Sequence, residues 1–338
     1  MPPPRKRKRS SSIQDSRRPT SIPDLESYFR EQFLDVNDPC INTHSFKFAS
    51  IVGCRQERCW IAKNLGIWNS LLHPVGIELL ENAAGKLTLR TFVNCSPSAS
   101  EYRVVSVFLL KRLLNNHRCV QQVDLSYTGE LFDDESQLLS QVHPTAGISQ
   151  IALDGHRMNK PQLCQLFRVM LRGDPTRMKL RHVCFGATEM TALVQSFDRS
   201  NTRLTDLDLS DNRLRGHDSL ALLKVIETSK TIKCLKLNSI MVGVRGAQRF
   251  AKLLRTNKTL LSVSLFKTKI NDKGAVAISQ ALAANSTLGF LMIGGNSIGP
   301  TGPQAIASSL EVNTTLTYLD LQCNHLDNGG AVFLARML

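Results

Sequence analysis

No run of about 18 apolar residues occurs in the 338-residue chain, so no membrane-spanning helix is expected. The N-terminus is basic, but the apolar stretch that would make it a secretory signal does not follow. An intracellular protein is the expectation from these two absences. The nine cysteines are odd in number and scattered, which is not the pattern of a disulfide framework, and they read as reduced thiols. Catalytic signatures are missing too. There is no G-x-x-x-x-G-K-[ST] phosphate loop, no G-x-S-x-G and no H-E-x-x-H. The glycine-rich "GGNSIGPTG", Gly294 to Gly302, lacks the Lys-Ser/Thr pair that would complete a phosphate cradle. The histidines form no recognisable pair with a cysteine or serine. We expect no catalytic residue and no cofactor.

What is present begins with charge. The formal net charge is +14, which raises nucleic acid as a partner. The excess is concentrated in the first 18 residues, where seven Lys and Arg face only Asp15. Residues 1–21, almost free of apolar side chains, cannot bury enough surface to offset their ordering entropy and are expected to be a disordered tail. Arg5, Lys6, Arg7, Lys8 and Arg9 read as a single-cluster nuclear import signal for an import receptor, placing the protein in the nucleus, shared with the cytoplasm. Nucleic acid is expected to bind only this tail, and non-specifically. Ser10, Ser11 and Ser12 follow directly, and phosphorylation there would weaken binding to any acidic partner.

Residues 22–82 read as an N-terminal helical or capping region. Leu25, Tyr28, Phe29, Phe33 and Val36 recur at helical spacing, and Asp24 and Glu26 fall in the first turn. "SFKFASIVG" has the pattern of a strand. "GIWNSLLHPVGIELLENAAG" reads as short helices interrupted at Pro74.

From residue 83 the chain repeats. Asn201, Ser229, Asn257, Asn285 and Asn313 open units 28 residues apart. Each unit carries an L-x-x-L-x-L triple, as in Leu204, Leu207, Leu209 or Leu288, Leu291, Ile293. Asn212, Asn296 and Asn324 follow three positions on, where two other units have Ile240 and Thr268. The second half of each unit changes period. Leu222, Phe250, Ile278, Ile306 and Leu334 form one column, and Ile226, Leu254, Leu282, Leu310 and Leu338 another, four residues later. Period two followed by a four-residue spacing is a strand, a loop and a helix. No such unit can bury its apolar side alone, so neighbours must stack. Upstream triples are weaker: Ala84, Leu87, Leu89; Val120, Val123, Leu125; Ile148, Ile151, Leu153; and Leu180, Val183, Phe185.

These motifs resemble the leucine-rich repeat, in its long-unit, ribonuclease-inhibitor-like subclass, which includes Ran GTPase-activating protein and the NLR receptor tails. The resemblance implies an α/β fold: a curved solenoid, or horseshoe, with an inner parallel sheet of about nine strands and outer helices, preceded by the N-terminal cap region. It implies that the turn asparagines form a ladder, incomplete at Ile240 and Thr268. It implies a scaffold that binds a protein of unknown identity on the inner face. Two alternatives come with it. One is activation of a Ran-like small GTPase through Asn212, Arg213 and Arg215, although the long acidic segment usual in such activators is missing. The other is a fragment or regulator of an NLR-type innate immune receptor.

Residues alternating with the core leucines face outward on the sheet. Asp206, Asp208, Lys236, Phe266, Phe290, Met292, Tyr318 and Asp320 are therefore the candidate partner contacts. His182, Cys184 and Gly186 are assigned to the same face upstream. As read, the face is not basic and its charges are mostly aspartates, which argues against a groove that tracks phosphates. "LTDLDLSDN" mimics half of a calcium loop, but Asp211 and His217 stand where Gly and Glu are required. Cys40, His44, Cys54 and Cys59 have zinc-like spacing without a second copy and read as free cysteines. No polar capping unit follows "AVFLARML", so Phe333 and Leu338 are expected at an open end.

Overall fold

A computed structural model describes residues 21–31, 59–92, 100–126, 148–155, 175–183, 203–214 and 217–337. The basic tail, "SFKFASIVG", and Cys40, His44 and Cys54 lie outside these residues. Helix α1 (Ile22–Glu31) is opened by Ser21, whose hydroxyl accepts a hydrogen bond from the Asp24 amide, and it buries Leu25 completely. Helices α2 (Trp60–Lys63) and α3 (Leu65–Leu72) follow, and Pro74 sits in a single tight turn, His73–Val75. Strand β1 (Ile77–Ala83) then turns at Gly85, which has a φ of +72°, into β2 (Lys86–Thr91). Helix α4 (Ser100–Asn116) buries Val105, Leu109, Leu110 and Leu113 at helical spacing.

Strands β3 (Val120–Ser126), β4 (Gln150–Asp154), β5 (Arg177–Arg181) and β6 (Asp206–Asp208) come next. Helix α5 (His217–Thr228), β7 (Cys234–Lys236), α6 (Gly243–Thr256), β8 (Ser262–Ser264) and α7 (Asn271–Leu282) continue the alternation. Strand β9 (Phe290–Met292), α8 (Thr301–Leu310), β10 (Tyr318–Asp320) and α9 (Asn328–Met337) complete it. All ten strands form one sheet in chain order. Strands β2 to β10 are parallel, and β1 adds an antiparallel edge strand. Short helices were expected at residues 77–83. Ile77 and Leu79 instead alternate as strand residues, both fully buried.

The core is a set of columns. Leu207, Leu235, Val263, Leu291 and Leu319 stand in register along the sheet. Phe250, Ile278 and Ile306, from successive helices, are buried behind them. Neighbouring helices approach closely at the glycine column. A Cβ on Gly274 would lie 2.9 Å from the Cβ atoms of both Ala247 and Ile270, so glycine is required there by space.

The fourth upstream triple is placed differently from expectation. Met178 and Leu180 pair with Ile151 and Leu153, and Met178 with Leu207. The core triple is therefore Pro175, Met178, Leu180, not Leu180, Val183, Phe185. Two further observations fix this register. Residues 155, 182, 211, 239, 267, 295 and 323 all have positive φ, so His182 belongs to the turn column. Val183 occupies the asparagine position, and its amide donates to Asn212 Oδ1 at 2.9 Å. Buried Pro175 stands where most other units have Leu, Ile or Val, which hid the unit from an aliphatic pattern.

Candidate concave interface

Among the described residues one face of the sheet is left uncovered by the helices, and its side chains come from the alternate strand positions. The corrected register changes its chemistry. Arg177, Lys179 and Arg181 replace His182, Cys184 and Gly186 on β5, so the centre of this face is not mainly acidic. The cations are set beside carboxylates of neighbouring units. Arg177 Nε lies 3.8 Å from Asp206, Lys179 Nζ 3.8 Å from Asp154, and Arg181 2.5 Å from Asp211. His182 Nδ1 is 2.8 Å from Asp154; Cys184 and Gly186 lie outside the described residues. Burial alone would raise the Asp211 carboxyl, but hydrogen bonds from Arg181 and Ser239, with the positive charge nearby, hold it below its ordinary value. The cations of β5 are thus set against carboxylates within the sheet, and among the described residues this face offers no continuous basic track for a nucleic-acid backbone.

The eight candidate contacts fall into two groups. Asp206, Asp208 and Lys236 line a shallow trough of about 370 Å³ across β3 to β7, where polar side chains such as Gln122, Gln150 and Lys179 border a largely apolar surface. Asp206 accepts a hydrogen bond from the Thr205 hydroxyl at 2.6 Å. Asp208 and Asp320 occupy equivalent repeat positions, and each accepts the backbone N–H two residues on, from Ser210 and Gln322. These two carboxylates have a structural task besides any contact they make. The Cys234 thiol is pushed up by burial and by the Asp206 charge, so it stays protonated and is a poor nucleophile at neutral pH.

Phe266, Phe290, Met292 and Tyr318 form the second group. The Phe290 and Tyr318 rings stack with centroids 5.8 Å apart. Phe290 is 49%, Tyr318 45% and Met292 37% exposed. The backbone amide of Phe266 donates to Asn238 Oδ1 at 3.1 Å, and Lys267 Nζ sits 5.3 Å from the centre of the Phe266 ring. Gly294 makes room for that ring, since a Cβ there would come within 2.9 Å of Phe266 Cδ2 and of the Gln322 carbonyl. Asp320 borders the cluster.

The turn asparagines behave as the repeat implies. Asn296 Nδ2 donates to the Leu265 and Ile293 carbonyls at 2.7 and 2.9 Å, and its Oδ1 accepts from the Thr268 amide at 2.8 Å. Asn212 and Asn324 make the same bonds one unit apart from their partners. Thr268 partly replaces an asparagine, its hydroxyl donating to the Leu265 carbonyl at 2.7 Å. Asn212 is 4% exposed, so it is committed to the fold and cannot act on a GTPase. Arg213 is exposed, and Arg215 lies outside the described residues. A second ladder was not foreseen. Asn257, Asn285 and Asn313, read only as unit starts, each accept the amides two and three residues on. Their 28-residue recurrence was the available signal.

Cys59, the one described residue of the four with zinc-like spacing, is buried beside His117 and Cys119. Among the described residues no helix is long and apolar enough to cross a membrane.

A family profile described as "Leucine Rich repeat" matches residues 256–279 and 312–335. No curated protein sequence matches the chain. Among solved structures it is similar to one titled "Leiomodin-1 Actin-Binding Site 2 (ABS2)", at 28% identity, covering 36% of this chain and 70% of that one. The TM-score of 0.33 is too low to carry an argument about fold or partner. The two matched segments are leucine-rich repeats, and the same unit, stacked into a parallel sheet backed by helices, makes this chain a leucine-rich-repeat solenoid.

Proposed function

We propose that the protein is a non-catalytic scaffold that binds a protein partner on the concave face, through Phe266, Phe290, Met292 and Tyr318. One observation carries this reading. A stacked aromatic pair and a methionine stand half-exposed on the adjacent strands β9 and β10, while Leu291, between Phe290 and Met292, is fully buried. Exposed aromatic and Met clusters of this kind favour protein interfaces, where a rigid backbone spares the cost of ordering. The charged side chains of the trough beside it, Asp206, Asp208 and Lys236, support selectivity through hydrogen bonds and charge rather than added affinity. Asp320 serves at the rim. The Arg5–Arg9 cluster is proposed to engage an import receptor and direct the protein to the nucleus.

The test is a crosslinking pull-down with the full chain and a Phe266→Ala, Phe290→Ala, Tyr318→Ala variant. The crosslinked species specific to the wild type should disappear in the variant while its thermal unfolding stays close to the wild type. The same species recovered at the same yield from a folded variant would reject the site. For the tail, deletion of residues 1–21 should deplete the protein from the nucleus, and acidic replacements at Ser10, Ser11 and Ser12 should do so in part. Unchanged distribution in both would reject the import reading.

A further inference from the structure

We propose that Cys59, His117 and Cys119 form a structural zinc site that fastens the N-terminal helices to the repeat sheet. The three side chains come from two places in the chain. Cys59 stands at the entrance to α2, and His117 and Cys119 lie between the end of α4 and β3. They are 5%, 3% and 6% exposed. One ligand atom from each lies within 4.8 Å of the other two, and Cys59 Sγ is 3.7 Å from His117 Nδ1. In a tetrahedral site with Zn–S near 2.3 Å and Zn–N near 2.0 Å, ligand atoms are separated by roughly 3.5–3.8 Å. The Cys59–His117 spacing is therefore what a single ion needs, and the other separations would have to close by at most about 1 Å.

The donor set names the metal class. Two thiolates and an imidazole are soft to borderline ligands that favour Zn²⁺ over Mg²⁺ or Ca²⁺. Two thiolates also neutralise the ion, so no net charge is left in an apolar interior. Burial argues for a structural role, since no substrate can reach the centre, and the fourth position is left to water or another side chain. The backbone is already held at the ligand positions. The His117 amide donates to Leu113 O at 3.1 Å, the Leu87 amide to Cys119 O at 2.8 Å, and the Lys63 amide to Cys59 O at 3.2 Å. An ion here would join α2, α4 and the β2–β3 pair at one point.

The test uses the full chain, purified without chelator and dialysed. Elemental analysis should find about one zinc per chain, and cobalt substitution should give a thiolate-to-cobalt charge-transfer band with a tetrahedral visible spectrum. Removing the metal with a strong chelator should lower the Tm, and Zn²⁺ alone should restore it. Cys59→Ser and Cys119→Ser should each lose the cobalt–thiolate signal. Full chain that stays metal-free after incubation with Zn²⁺ would overturn the proposal. So would retention of stoichiometric zinc by the folded Cys59→Ser, Cys119→Ser double variant. The reconstitution arm needs no variant, so a full chain that takes up no zinc overturns the proposal even where the substitutions prevent folding.

Discussion

Asn296 shows how much one side chain can hold. Its amide joins two consecutive units by bonds to Leu265, Ile293 and Thr268 in a region closed to water. Asn296→Ala would strand at least one buried amide and one carbonyl, each costing roughly 1–3 kcal/mol. We expect a loss of about 3 kcal/mol in urea unfolding with an unchanged m-value. A loss below about 1 kcal/mol would show that the backbone relaxes to satisfy itself. Arg181 and Asp211 make the second residue-level prediction. The Asp211 carboxyl is held low in the folded state, so the stability it contributes is present above the ordinary carboxylate value of 3.8 and is lost as pH falls toward the folded value. Arg181→Gln should flatten the stability–pH curve in this acid range and leave its slope near neutrality unchanged. Equal acid slopes in the two proteins would remove the pair from the account. These side-chain roles were only half visible in the sequence. A recurring Asn announces a turn, but the partner of Asp211 depended on the register of β5.

At the level of elements, the sequence was most readable where both halves of a unit kept their period, from β6 onward. It was least readable at β5. Pro175 replaces the first aliphatic residue of the triple, and the neighbouring units span 27 and 29 residues instead of 28. A search for spaced apolar residues then settles on Leu180, Val183 and Phe185, which have the right intervals in the wrong register. Pairing with β4 and β6 decides the matter, and pairing is a long-range fact that no local pattern contains. Strand β1 was missed for a related reason: "GIELLENA" follows a helix and a proline turn closely enough to look like more helix. Between α6 and α7, the close approach at Gly274 gives a direct check. Gly274→Ala would gain helix propensity, about 1 kcal/mol in an exposed helix. The new methyl, however, would press on Ala247 and Ile270. Overpacking of this kind costs roughly 1–3 kcal/mol. We expect a lower Tm, and a raised Tm would mean that the two helices separate without penalty. Asp272 offers another. Its carboxylate accepts the amides of Gly299 and Gly302 at 2.9 and 2.8 Å, capping α8 from the preceding unit. Asp272→Ala should cost about 1 kcal/mol.

For the whole molecule, the fold class was legible because a repeat states its own architecture many times. The function was legible only as far as the free face. The alternation rule placed Phe290, Met292 and Tyr318 outward without knowledge of any contact. It could not show that the aspartates of β6 stand opposite cations from β5, nor that Cys59 meets His117 and Cys119 from 58 residues away in the chain. The ladder has a further consequence. Asn212, Asn296 and Asn324 each reach back to the unit before them, so a turn is completed by its successor, as each roof tile is held down by the next. Along the sheet this gives a direction to failure. Damage to one unit should loosen the turn upstream of it more than the turn downstream. Asn324→Ala should therefore speed hydrogen exchange at the Asn296 and Ile298 amides, which donate to its Oδ1 at 2.8 and 3.2 Å, before it affects the amides of α9. Loosening in a solenoid joined this way travels toward the preceding units, so damage at β10 reaches first the turn of β9, within the aromatic cluster.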